Sequence, residues 1–146
     1  HYLVELGGEV RAHGLVGKER PWRIGIERPD GGKQDVHLAV SLANQSMATS
    51  GGYRNFVTVD GSHVTHIIDG RTGKPVGHGL GSVSVVSENC MHADAWATAL
   101  YVLGPKAGLE VANKHKIQAL FLVREGESFT ELRSTSFPTA GEPPTP

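Results

Sequence analysis

Asp94 and Thr98 stand four residues apart, an interval that projects both side chains from one face of a helix. A carboxylate and a hydroxyl are hard oxygen donors, and with waters or substrate phosphates completing the shell they suit Mg²⁺. The same pair has a plainer reading. Asp94 can favour the N-terminal region of the helix through the macrodipole while Thr98 bonds back to the carbonyl of residue 94, and spacing alone favours this version. A second group is His66-Ile-Ile-Asp69-Gly-Arg71-Thr72-Gly73-Lys74-Pro75. It sets an imidazole near a strand end, ahead of a turn rich in charge. His66 could move a proton and the cations could hold phosphates. A solvated turn whose Asp caps its own backbone accounts for the same composition without a ligand. The third group, Ala48 to Phe56, joins hydroxyls to Gly51-Gly52 and Arg54. Close backbone approach to a ligand is one reading, and a β-bulge ahead of the next strand is the safer one.

Other chemistries are excluded or weak. His63 and His66 are three apart in an expected strand and so face opposite sides, and no helix pairs His78 with His92 in a zinc-protease pattern. The single cysteine, Cys90, rules out an intrachain disulfide framework and a multi-cysteine zinc site, and it reads as a small helix-face residue. A formal charge of −1 gives no electrostatic footprint for a phosphate backbone, so nucleic acid is not an expected partner. Apolar runs such as Ala119 to Val123 fall far short of the roughly 18 residues a membrane span needs.

The elements that must position these residues follow from periodicity. The chain has 146 residues, enough for one core, and 19 glycines, which imply many tight turns. Period-2 alternation dominates: Tyr2 to Leu6, Glu9 to His13, Trp22 to Glu27, Val36 to Leu42, Phe56 to Val59, His63 to Ile68 and Leu80 to Ser87 are expected strands. Gly7-Gly8, Pro29-Asp30-Gly31-Gly32 and Asp60-Gly61 are the expected turns. Cys90 to Leu103 is rich in Ala and Leu and stops at Gly104-Pro105, and Pro105 can begin a second helix reaching about Lys116. Ile117 to Arg124 and Thr130 to Phe137 complete the set. This order predicts an α+β domain, a largely antiparallel sheet with two consecutive helices near the C-terminal end, over residues 1–137. Residues 138–146 carry four prolines and read as a mobile tail. The first residues read as an interior strand of a longer protein, with any export signal or lipid anchor upstream. An apolar surface is therefore expected to stand open in this chain.

Taken together, the stretches LVELGGEVRAHG, PWRIGIERP, MATSGGYRNF, HIIDGRTGKPV, SVSVV and CMHADAWATALYVLG resemble, in order, the ApbE family of FAD:protein FMN transferases. The resemblance covers nearly all residues before the tail. It implies that Asp94 and Thr98 are side-chain ligands of Mg²⁺, reversing the preference that spacing alone suggests. It implies an active site with His66, Asp69 and Arg71 as catalytic candidates, and flavin contacts from Arg54, Thr72 and Gly81. Where the family pattern has proline after the Asp of the turn, this chain has Gly70. The family's upstream half, which carries a glycine- and lysine-containing FAD clamp and a further metal ligand, is not in the sequence. The activity implied is Mg²⁺-dependent transfer of FMN from FAD to a Thr or Ser hydroxyl of an acceptor flavoprotein, such as a membrane redox-pump subunit, with release of AMP. The setting implied is the periplasmic side of the bacterial inner membrane. Two other readings stay open, an FAD pyrophosphatase and a flavin-binding or structural module without turnover. Because a metal-bound pyrophosphate and its base share one small volume, His66, Asp69, Asp94 and Thr98 are expected to converge.

Overall fold

The computed structural model describes residues 1–17, 19–29, 35–52, 56–59 and 62–138. Its elements run β1 (Tyr2–Leu6), β2 (Glu9–His13), β3 (Trp22–Glu27), β4 (Val36–Leu42), β5 (Ser46–Gly51), β6 (Phe56–Val59) and β7 (Ser62–Thr65). There follow β8 (Ile68–Asp69), β9 (Lys74–Pro75), β10 (Leu80–Ser87), α1 (Cys90–Lys114), β11 (Gln118–Glu125) and β12 (Ser128–Arg133). Six strands form one sheet in the order β1-β2-β5-β10-β11-β12, with every pairing antiparallel. The hairpins β3–β4, β6–β7 and β8–β9 stand as separate pairs. The α+β class with a largely antiparallel sheet is as the sequence predicts.

Both faces of the sheet are covered, which is why its central strands read as continuous apolar runs rather than clean alternations. In β11, Ala119 and Phe121 face α1, where Ala93, Ala97, Leu100 and Ala112 meet Val83 and Val85. Leu120 and Leu122 point the other way, into a second cluster with Ile26, Val40 and Leu42 of the β3–β4 hairpin and Phe137. Each fully buried Val, Leu, Ile or Phe side chain among them contributes about 1.5–3 kcal/mol relative to exposure. Turn chemistry acts where predicted. Gly7 and Gly8 adopt φ of +69° and +108°, closing β1 on β2 with Leu6 opposite Glu9.

Four expectations need correction. The two helices form one element kinked at Gly104, whose φ of +80° and ψ of 176° are non-helical, with Pro105 opening the second segment. That segment ends at Lys114 rather than Lys116. Ser46–Gly51, read as leading to a bulge, is instead a strand inside the sheet, paired along its length with β10. The bulge lies on β10, where the register shifts between Leu80 and Ser82. The strand expected over 63–68 breaks into β7 and β8, because Ile67 N bonds Thr65 Oγ1 and turns the chain. The last strand stops at Arg133, and Ser134 and Phe137 turn inward instead, Ser134 Oγ bonding Ile117 O and receiving Ala119 N. The expected open apolar surface is present: β1 is an edge strand of the described sheet with every residue exposed, Leu6 at 79%. The Asp30–Gly32 and Asp60–Gly61 turns and positions 139–146 of the tail lie outside the described residues.

Candidate active site

A cavity of about 660 Å³ opens at the end of β5. The Gly7-Gly8 turn, the strand residues Ile24 to Glu27, the Thr49–Gly51 end of β5, the His66–Ile68 segment and the helix residues Asp94 and Thr98 all line it. The helix wall is set by small residues. Ala93 and Ala97 are fully buried, so α1 lies close on the sheet, and the adjacent positions Asp94 and Thr98 emerge along its flank at the cavity rim. The helix is thus buried along one stripe only, since Ala95 and Ala99 are exposed as well.

The plainer reading of this pair does not match the geometry. The N-cap is Asn89, whose Oδ1 accepts from His92 N at 2.9 Å, and no acidic residue occupies the first turn. Asp94 lies one position beyond that turn. Thr98 Oγ1 bonds Ser50 Oγ of β5 at 2.8 Å, which joins helix to sheet. Ser50 is the residue that sequence reasoning missed as a site component. Strand alternation in β5 aims Ser50 at the helix and Thr49 at the opposite face, where Thr49 Oγ1 meets Ser84 Oγ at 2.8 Å.

His66 enters the cavity from the opposite wall. Its neighbour Ile67 is buried, and Val76 N bonds Ile67 O at 3.0 Å, so the segment is fixed while the imidazole stays exposed. Asp69 and Arg71 follow but do not line the cavity. Asp69 Oδ1 accepts from Arg71 N at 2.9 Å and Nε at 3.0 Å, and Oδ2 accepts from the guanidinium at 2.9 Å. These bonds hold the Asp69 carboxyl below its ordinary value and raise Arg71 above its own. The carboxylate is occupied by its own turn. Thr72 likewise serves the turn, its Oγ1 donating to Asp69 O and accepting from Lys74 N. Gly81, expected at the flavin, faces away from the cavity: a Cβ there would come within 2.6 Å of Pro29 Cγ and 2.8 Å of Phe129 Cε1. Arg54 lies outside the described residues.

The lining carries Glu5, Glu9, Glu27 and Asp94, and no lysine or arginine among the described residues. A phosphate entering such a wall meets like charge, which a bound cation would offset. The donor set fits a hard one: Asp94 and Thr98 offer a carboxylate and a hydroxyl at one rim, with Ser50 beside them. Among the described residues no three His, Cys, Asp or Glu side chains cluster as a site of the zinc type would require.

Residues 1–121 match the model of the ApbE family. The chain is 38% identical over 136 residues to the FAD:protein FMN transferase of Escherichia coli K12, and 41% identical over 137 residues to that of Vibrio cholerae. Those alignments take in 93% and 94% of this chain but 39% and 41% of the relatives, so the chain spans about two-fifths of the curated relatives it matches. The flavinyl transferase ApbE of Pseudomonas stutzeri superposes with a TM-score of 0.77 at 38% identity, over 92% of this chain and 41% of that one. The apbe protein of Thermotoga maritima gives 0.80 at 31% identity, over 92% and 43%. The chain belongs to the ApbE family.

Proposed function

We propose that the full-length protein transfers FMN from FAD to a threonine or serine hydroxyl of an acceptor flavoprotein, with AMP as the leaving group. The observation that carries this reading is a cavity in which a helix carboxylate and hydroxyl face a strand hydroxyl and an imidazole. The names of the relatives supply the reaction class. In the step itself, the acceptor oxygen forms a bond to the FMN-side phosphorus, the bond from that phosphorus to the AMP oxygen breaks, and the hydroxyl proton leaves to a base. His66 takes the base or phosphate-contact role, being the titratable imidazole on the lining. Asp94 and Thr98 would hold Mg²⁺. Bound there, it would neutralise the pyrophosphate against the carboxylate-lined wall. Asp69, Arg71 and Thr72 keep the turn beside His66 in shape, which reduces their proposed part to support. We place the protein at the periplasmic face of the bacterial inner membrane, lipid-anchored, with a membrane redox-pump subunit as acceptor.

The test is incubation of the full-length protein with FAD, Mg²⁺ and a candidate acceptor, followed by intact mass measurement. A mass gain of one FMN on the acceptor with AMP in solution is expected. Free FMN and AMP without a labelled acceptor would show water as the nucleophile and replace transfer by pyrophosphatase activity. FAD binding that ignores Mg²⁺, with no AMP released, would leave only a flavin-binding module.

A further inference from the structure

The cavity's two walls belong to separate parts of the chain, and a clasp outside the cavity joins them. Asp94, Thr98 and Tyr101 recur at i, i+4 and i+7, so they share one stripe of α1. The stripe runs from the exposed rim into the core, where Tyr101 is 4% exposed. Pro105 stands four residues after Tyr101 and has no N–H, so it cannot supply the helical bond that the Tyr101 carbonyl would otherwise accept. His78 Nε2 reaches that carbonyl at 2.6 Å. A carbonyl only accepts, so Nε2 carries the proton, and Nδ1 is then the acceptor that faces Leu80 N at 3.4 Å. The imidazole edge lies on Gly104, where a Cβ would come within 3.1 Å of its Cδ2, so the kink glycine makes room for it.

The tyrosine side chain closes the loop. Its hydroxyl donates to Leu80 O at 3.1 Å and lies against Gly52, two residues beyond Ser50. His78 in turn belongs to the segment that carries the imidazole wall. Val76 N bonds Ile67 O at 3.0 Å, and Ile68 pairs with Pro75, so residues 66–69 and 74–76 move as one hairpin ending two residues before His78.

We propose that His78 and Tyr101 are positioning residues that set the helix stripe of Asp94 and Thr98 against Ser50 on one side and the His66 wall on the other. The inference rests on the metal reading of Asp94 and Thr98. It adds two residues that lie outside the cavity lining. Loss of the clasp frees the helix to turn or slide at its kink, and the oxygen donors then meet a cation out of place.

The test uses the full-length protein and three variants of the clasp, His78→Ala, His78→Gln and Tyr101→Phe, with Asp94→Ala as the reference. Calorimetric titration with Mg²⁺ gives the metal Kd, and a melting curve without metal reports folding. His78→Ala is expected to raise the Kd about tenfold, the scale at which groups that orient ligands act. His78→Gln, whose amide N–H can reach the same carbonyl, recovers most of the loss, which a merely structural defect would not. Tyr101→Phe keeps the ring and loses only the hydroxyl, so it folds even if His78→Ala does not, and it also raises the Kd. A parental Kd in folded His78→Ala, or in Tyr101→Phe where His78→Ala does not fold, overturns the clasp. A parental Kd in Asp94→Ala overturns the metal reading on which it rests, and the two failures are read from different variants.

Discussion

The cavity has one wall on α1 and one on the His66–Lys74 turn, and the two are built by opposite means. Asp94 and Thr98 are exposed, yet their backbone is held by Ala93, Ala97 and Leu100, each buried to 0% exposure against the sheet. Asp69, Arg71 and Thr72 bond chiefly to one another and to the turn's own backbone. Aimed from a packed helix, Asp94 stands at the cavity rim, and Thr98, though bonded to Ser50, keeps an oxygen lone pair for a ligand. A turn that satisfies itself has already spent its oxygens. The same residue types, a carboxylate and a hydroxyl, therefore carry different meaning on the two walls, and interactions rather than identity decide which.

The largest effect that would break this contrast is at Asp94. Asp94→Ala in the full-length protein is expected to abolish FMN transfer while leaving the melting temperature near the parent's, since an exposed carboxylate has no buried partner to lose. Thr98→Val should be milder, because a water can replace a neutral hydroxyl in a cation's shell. AMP release and melting temperature on both variants check this. Unchanged turnover at saturating Mg²⁺ would return Asp94 to an ordinary helix position.

A smaller effect separates the packed wall by its intolerance. A Cβ on Gly108 would lie 2.8 Å from Leu100 O and 2.9 Å from Phe121 Cε1. Gly→Ala in a helix normally gains up to about 1 kcal/mol. Here the near contact is backbone on one side and a buried ring on the other, so overpacking of about 1–3 kcal/mol outweighs the gain. Gly108→Ala should lower the midpoint of urea unfolding.

These contrasts explain what the sequence made legible. Strong period-2 runs, the Gly7-Gly8 turn and the Gly104-Pro105 break each state a local rule that packing did not override, so β1 to β4, β10 and the kinked helix were readable. Ser46–Gly51 was not, because its core-facing residues are Ser, Met, Ala and Thr, and its strand character comes from the neighbours β2 and β10 rather than from its own propensity. The pairing of Thr98 with Ser50 is invisible for the same reason: it spans 48 residues and depends on where a strand without a signature lies. Asp69 and Arg71 are two apart, and the bond from Arg71 N to the Asp69 carboxylate was legible as a capping turn, while the side-chain pair was not. The resemblance lent them a wider role than the geometry gives.

The turn's independence can be probed by pH. Asp69 is held below its ordinary value of 3.8 by the hydrogen bond from the Arg71 side chain, then by that from its backbone. A depressed carboxylate stabilises the fold fully above 3.8 and loses that contribution as pH falls through the lower folded value. The window is therefore acidic, and nothing should change between neutral pH and the ordinary carboxylate range. Arg71→Ala should return the Asp69 carboxyl toward 3.8, seen in its NMR titration, with little change in melting temperature at pH 7, because the Arg71 end of the pair is mostly exposed and screened. A clear loss of stability at pH 7 would mean that the turn supports more than itself.

A last effect lies in two glycines three residues apart. Added Cβ atoms at Gly70 and Gly73 would each meet nothing within 4 Å, so sterics with the rest of the molecule cannot distinguish them. Backbone conformation does. Gly73 sits at φ +67°, where an L side chain is strained by about 1–2 kcal/mol, while Gly70 lies outside the left-handed region. Gly70→Ala should therefore stabilise by about 0.4–1 kcal/mol through the unfolded chain, and Gly73→Ala should destabilise. Opposite signs in urea unfolding would show that the turn's shape is a local property, set by its own dihedral angles and the Asp69 bonds. Equal signs would mean that this wall takes its conformation from contacts beyond the turn, as the helix wall does, and the contrast between them would fail.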